Sequence, residues 1–123
     1  MTAALFVAIL AGGASAVLRY ALALAFARRD RLVWAVFTVN VVGSALGGCV
    51  IALAESGLAG PELRLILLSG VAGALTTFST WTVEAVQLVQ AGKWRTAAAT
   101  VGLGLVVGLA AAIAGWMLVS LLL

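Results

Sequence analysis

The chain holds 123 residues, of which 65% are hydrophobic and 9% charged, whereas a soluble domain carries about 25% charged residues. Mean hydropathy is +1.26, and 7 Lys and Arg against 4 Asp and Glu leave a net charge of +3. These values exclude a soluble domain and provide no basic patch for nucleic acid, so the chain reads as an all-α integral membrane protein.

A membrane span needs about 20 apolar residues, so four spans with short loops consume almost all of residues 1–123 as a single transmembrane domain. Four helices are too few to enclose a wide path, which predicts assembly with another chain. The N-terminal apolar stretch lacks a basic leader and exceeds a signal-peptide core, so it reads as a retained first helix. Cys49 stands alone and His is missing, which removes an intrachain disulfide and the commonest general base and metal ligand. The chain has no phosphate loop, no HExxH, no nucleophile–base pair and no two carboxylates in one span, which argues against an enzyme.

The first span covers about residues 5–26, with Gly12, Gly13 and Ala16 as a small-residue face suited to close helix contact. Arg19 precedes Tyr20 near its end. It is either a snorkelling anchor beside an interfacial aromatic or a cation at the mouth of an anion path. The first loop carries Arg28, Arg29 and Arg31 around Asp30.

The second span covers about residues 32–54. Asn40, Ser44, Gly47 and Gly48 fall on one helical face, and Gly43 and Gly47 form a GxxxG pair. Mid-membrane Asn is expensive unless paired, so Asn40 faces inward. It serves either as interhelical glue or as an amide donor to a pore. Pro61, in the second loop, sits where a helix would start.

The third span covers about residues 63–90 and contains GVAGALTTFSTW at 70–81. Four hydroxyls, Thr76, Thr77, Ser79 and Thr80, lie among two glycines and the aromatics Phe78 and Trp81. Hydroxyls compete for backbone hydrogen bonds and glycine loosens the chain. The pattern predicts a break near residues 73–78, tolerated at membrane depth only where it is buried in protein or lines a watery path. A continuous helix with hydroxyls bonded to the preceding turn is the competing reading. Glu84 follows Thr80 by one turn, as a channel-mouth group or a structural acid.

After a short loop with Lys93 and Arg95, the last span covers about residues 96–123. Gly104, Gly108, Ala111 and Gly115 form its small-residue face, and Trp116 marks the far interface. Loops one and three carry Arg28, Arg29, Arg31, Lys93 and Arg95, against Arg64 alone in loop two. That excess predicts both termini outside the cell.

Three stretches in one order, GGASAVLRY (12–20), FTVNVVGSALGG (37–48) and GVAGALTTFSTW (70–81), resemble the small fluoride channels of the Fluc or CrcB family. The resemblance implies a multi-pass protein of the cell (inner) membrane, built as an antiparallel, dual-topology dimer of four-helix subunits. It implies passive fluoride efflux that protects the cell. A structural sodium ion is implied at the break of helix three, held by the backbone carbonyls of Gly73 and Thr76 from each subunit. The fluoride pathway implied comprises Asn40, Phe78, Trp81, Thr77, Ser79, Arg19 and Glu84. The partners are then fluoride, the lipid bilayer and a second copy, or a paired homologous subunit.

Two departures stand out: Trp81 replaces the family's second phenylalanine, and the polar track of some members on helix four becomes Gly104 and Gly108. On the family pattern Trp81→Phe is expected to preserve or raise flux. The alternatives are a small four-helix multidrug or cation transporter, whose first-helix carboxylate has no match here, and a non-conducting partner subunit of a heteromeric channel.

Overall fold

A dehydrated backbone must satisfy its own polar groups, and the apolar segments do so as helices. A computed structural model of the protein describes residues 2–27 and 32–123. The helices are α1 (Thr2–Ala27), α2 (Leu32–Glu55), α3 (Pro61–Arg64), a π-helical stretch (Leu65–Ala72), α4 (Gly73–Leu75), α5 (Phe78–Gln90) and α6 (Trp94–Leu122). Among the described residues four helices are long and apolar enough to cross a membrane, with α3 through α5 forming one bent span, Pro61–Gln90. The basic first loop at 28–31, which supplies three of the residues behind the orientation argument, lies outside the described residues.

The helix ends lie where local chemistry sets them. Pro61 occupies the first turn of α3 behind Gly60, so the third span begins two residues before the expected 63. The helices before loops two and three both end in a Schellman motif. Leu58 N donates to Leu53 O and Gly57 N to Ala54 O; Lys93 N donates to Leu88 O and Gly92 N to Val89 O. Gly57 (φ 79°) and Gly92 (φ 74°) take the left-handed position each motif requires. The tight second motif lets α6 start at Trp94, which moves Arg95 from the expected loop into the first turn of a helix.

Small residues bring the helices together. The α2–α6 pair is the most extensive in the molecule. A Cβ on Gly48 would collide with the Ala112 carbonyl, and one on Gly115 with the Ala45 carbonyl. Cys49 Sγ donates to Gly115 O at 3.4 Å across the same seam. On the other side, a Cβ on Gly70 would stand 2.8 Å from Ala8 O, so α1 and the π-helical stretch touch backbone to backbone. α2 lies between these packings and buries Ala35, Val36, Val39, Val50 and Ala52. Large apolar side chains such as Phe6, Leu10, Val106 and Leu109 face outward, as a surface against lipid or a second chain requires.

The third span breaks at two residues. In the π-helical stretch the N–H of Gly73 reaches back to Leu68 O, one residue farther than in an α-helix. One α-turn follows, and then Thr76 (φ −75°, ψ 155°) and Thr77 (φ −144°, ψ 117°) are extended before α5 begins. The hydroxyl-rich string therefore bends the span, and the continuous-helix alternative does not describe it.

Candidate ion pathway at the helix break

The break is held open by a side chain from another span. Asn40 of α2 approaches Thr77 with both ends of its amide: Nδ2 donates to Thr77 O at 3.1 Å, and Oδ1 accepts from Thr77 N at 2.7 Å. In a helix the N–H of Thr77 would bond Gly73 O. Asn40 takes it instead. Thr77 also caps α5, its hydroxyl accepting from Thr80 N at 3.2 Å and donating to Thr80 Oγ1 at 3.0 Å. The N–H of Thr80 is thereby drawn away from Thr76 O.

Two carbonyls thus lose their helical donors. Gly73 O receives only a long contact from Thr76 Oγ1, at 3.4 Å, and Thr76 O has no partner among the described residues. Gly73 is exposed on the surface of the chain. Among the described residues no three His, Cys, Asp or Glu side chains converge. Freed carbonyls are therefore the donor set that fits a hard cation here. Two oxygens from one chain fall short of a full coordination shell.

Two recesses flank Thr77. The first, about 270 Å³, is lined by Phe37, Asn40, Ser44, Phe78, Trp81 and Gly104, among others. The rings of Phe78 and Trp81 lie 5.7 Å apart, tilted by 59°. Phe78 is 73% exposed, so this groove opens on the surface of the chain. The second, about 180 Å³, brings Arg19 and Tyr20 of α1 to Thr77 and Thr80. The Nε of Arg19 is buried without a partner among the described residues. Arg19 therefore points toward the break rather than out along the lipid face.

The structure brings most of the expected residues together, though not in one chamber. Asn40, Thr76, Thr77, Phe78 and Trp81 share the first groove, while Arg19 joins Thr77 in the second. Ser79 is exposed, and its hydroxyl lies 3.4 Å from that of Thr77. Glu84 lines neither recess; it is 7% exposed, and both carboxylate oxygens are buried without a partner among the described residues. Phe37 and Gly104 line the groove and were not singled out as site residues from sequence. Phe37 lies one turn before Asn40, so the helical face already drawn through Asn40 and Ser44 extends to it. Gly104 entered only as a position where the resemblance expects a polar side chain.

The fold and this break define a four-span membrane protein with a polar interruption in its third span. Residues 6–116 match the family described as CrcB-like protein, Camphor Resistance (CrcB), and the chain belongs to that family. It is 40% identical over 114 residues to the Fluoride-specific ion channel FluC of Shewanella amazonensis, covering 90% of this chain and 92% of that protein. It is 43% identical over 120 residues to the Fluoride-specific ion channel FluC of Novosphingobium aromaticivorans, covering 94% and 88%. With the Fluoride-specific ion channel FluC 1 of Streptomyces avermitilis it shares 40% identity over 82 residues, or 67% of this chain and 66% of that protein. These names are those of ion channels, not of enzymes.

Proposed function

We propose that the protein is a fluoride-selective channel, giving passive fluoride efflux and protection from fluoride toxicity. The observation that carries the reading is the Asn40–Thr77 clamp beside an aromatic-lined groove, in a chain whose relatives are named fluoride channels. A fluoride ion is strongly hydrated, so a narrow dry path must replace its water with donors. Asn40 keeps one amide hydrogen beyond the one it gives to Thr77. The edges of Phe78 and Trp81 carry positive quadrupole density, which attracts an anion weakly enough to release it. Arg19 supplies positive potential in the second recess. Thr77, whose hydroxyl is spent on the cap, acts by shaping the break; Ser79 and Glu84 belong to its approaches.

The carbonyls of Gly73 and Thr76 would hold the structural sodium ion. When bound, that cation offsets the desolvation of anions brought into a low-dielectric path. The chain's own part is to keep those carbonyls free: Asn40 takes Thr77 N from Gly73 O, and the Thr77 hydroxyl takes Thr80 N from Thr76 O.

The exposed Phe78 and the half-shell of carbonyls both support assembly with a second copy across this face, in the antiparallel arrangement. A paired homologous subunit is the alternative, supported by the numbered name of the Streptomyces relative and by the basic bias of loops one and three. Purified protein in liposomes decides the reading. Fluoride efflux should be fast, independent of a proton gradient and far above chloride efflux. A protein inert alone but active with a homologous partner would be a heteromeric subunit, and one inert in both would not be a fluoride channel.

A further inference from the structure

The position of Trp81 depends on a glycine in another helix. A Cβ at position 104 of α6 would stand 3.1 Å from Trp81 Nε1 and 3.4 Å from Cε2 and Cζ2. Any side chain at 104 would press on the indole, and Phe78 lies against its ring on the same helix, 5.7 Å away. The ring is therefore seated, with its N–H beside the backbone of Gly104 in the groove that Asn40 and Ser44 also line.

The indole N–H is a donor only. At the end of α6, Trp116 finds an acceptor, Glu55 Oε2, at 2.7 Å. Among the described residues Trp81 finds none. Neither does the Ser44 hydroxyl, and Asn40 has one amide hydrogen left. Three unspent donors thus line a single groove at membrane depth, with no acceptor offered to any of them. An unpaired donor away from water is costly, whereas the same donor becomes an asset when an anion passes.

We infer that Trp81 binds the anion through its indole N–H, and that Gly104 is the positioning residue that admits the ring, the two acting as a coupled pair. The inference rests on the fluoride-channel reading and reverses one expectation drawn from the sequence. Trp81→Phe removes the donor and leaves room over Gly104, so it lowers flux instead of preserving it. The pair also accounts for the missing polar side chain at 104: the donor is delivered to that place from α5.

Reconstituted protein in liposomes tests the pair. Replacing Trp81 by its benzothiophene isostere, which keeps the shape and lacks the N–H, should cut fluoride efflux about tenfold, the size expected for one hydrogen bond to a charged partner. Gly104→Ser should block efflux with Trp81 present, yet raise it in the Trp81→Phe background, where the hydroxyl has space and restores a donor. A second readout is the indole ¹⁵N–H resonance of Trp81, assigned by its loss in Trp81→Phe, which should shift with fluoride and not with equal chloride. An active parent whose isostere conducts unchanged, or whose Trp81 resonance ignores fluoride, overturns the inference alone. A parent inert to fluoride both alone and with a homologous partner overturns the channel reading and the inference with it.

Discussion

α2 meets its neighbours in two different ways. Against α6 it presents Gly48, Ala45 and Cys49, and the backbones approach so closely that a methyl group would collide. Against the third span it presents Asn40, whose amide replaces a helical hydrogen bond at Thr77. The first interface leaves each helix's backbone bonding within that helix. The second diverts one helix's N–H to a side chain and so leaves carbonyls over. The difference teaches where function can reside in an apolar protein: at the interface whose backbone bonding is incomplete by construction.

Breaking the closed interface should have the largest effect. Gly115→Leu forces a side chain into the Ala45 carbonyl, at a cost on the order of 3 kcal/mol or more; the expected result is loss of monodisperse protein on gel filtration. At the open interface, Asn40→Ala removes both bonds to Thr77. Its N–H can then return to Gly73 O and close the helix. The parent's melting temperature should rise when N-methylglucamine is replaced by sodium, and that rise should vanish in Asn40→Ala.

Smaller effects sharpen the contrast. Trp116→Phe deletes the bond to Glu55 at an exposed end of the closed pair, so it should cost about 1 kcal/mol or less and leave fluoride flux unchanged. The smallest effect belongs to Thr76→Ser. The groups offered to a cation at Gly73 and Thr76 are carbonyls, so sodium should stabilise this variant almost as well as the parent.

How much of this could be read from the sequence follows the same division. The break was readable because four hydroxyls crowd a single turn of an apolar span, and hydroxyls compete with the helical ladder. That Asn40 faces inward was readable from the expense of an amide in lipid. Its partner was not, because no local pattern links Asn40 to a backbone 37 residues later. The π-helical stretch at 65–72 was unreadable as well, since Ser69 and Gly70 can loosen a helix without specifying a wide turn. Gly104 read as a small residue for close approach and as a departure from the family's polar track, and only the position of the indole shows that it lies against Trp81. For Arg19 the residues alone favoured the snorkelling anchor, and its place beside Thr77 and Thr80 favours the inward reading instead.

The most direct test of the central claim compares the parent with Asn40→Asp in sodium-containing liposomes, using a fluoride electrode. The aspartate cannot donate to Thr77 O, and its charge repels both that carbonyl and an arriving anion, while the α2–α6 seam is untouched. The account predicts rapid efflux from the parent and a loss on the order of a hundredfold in the variant, with both proteins eluting alike on gel filtration. Equal efflux from the two would contradict it.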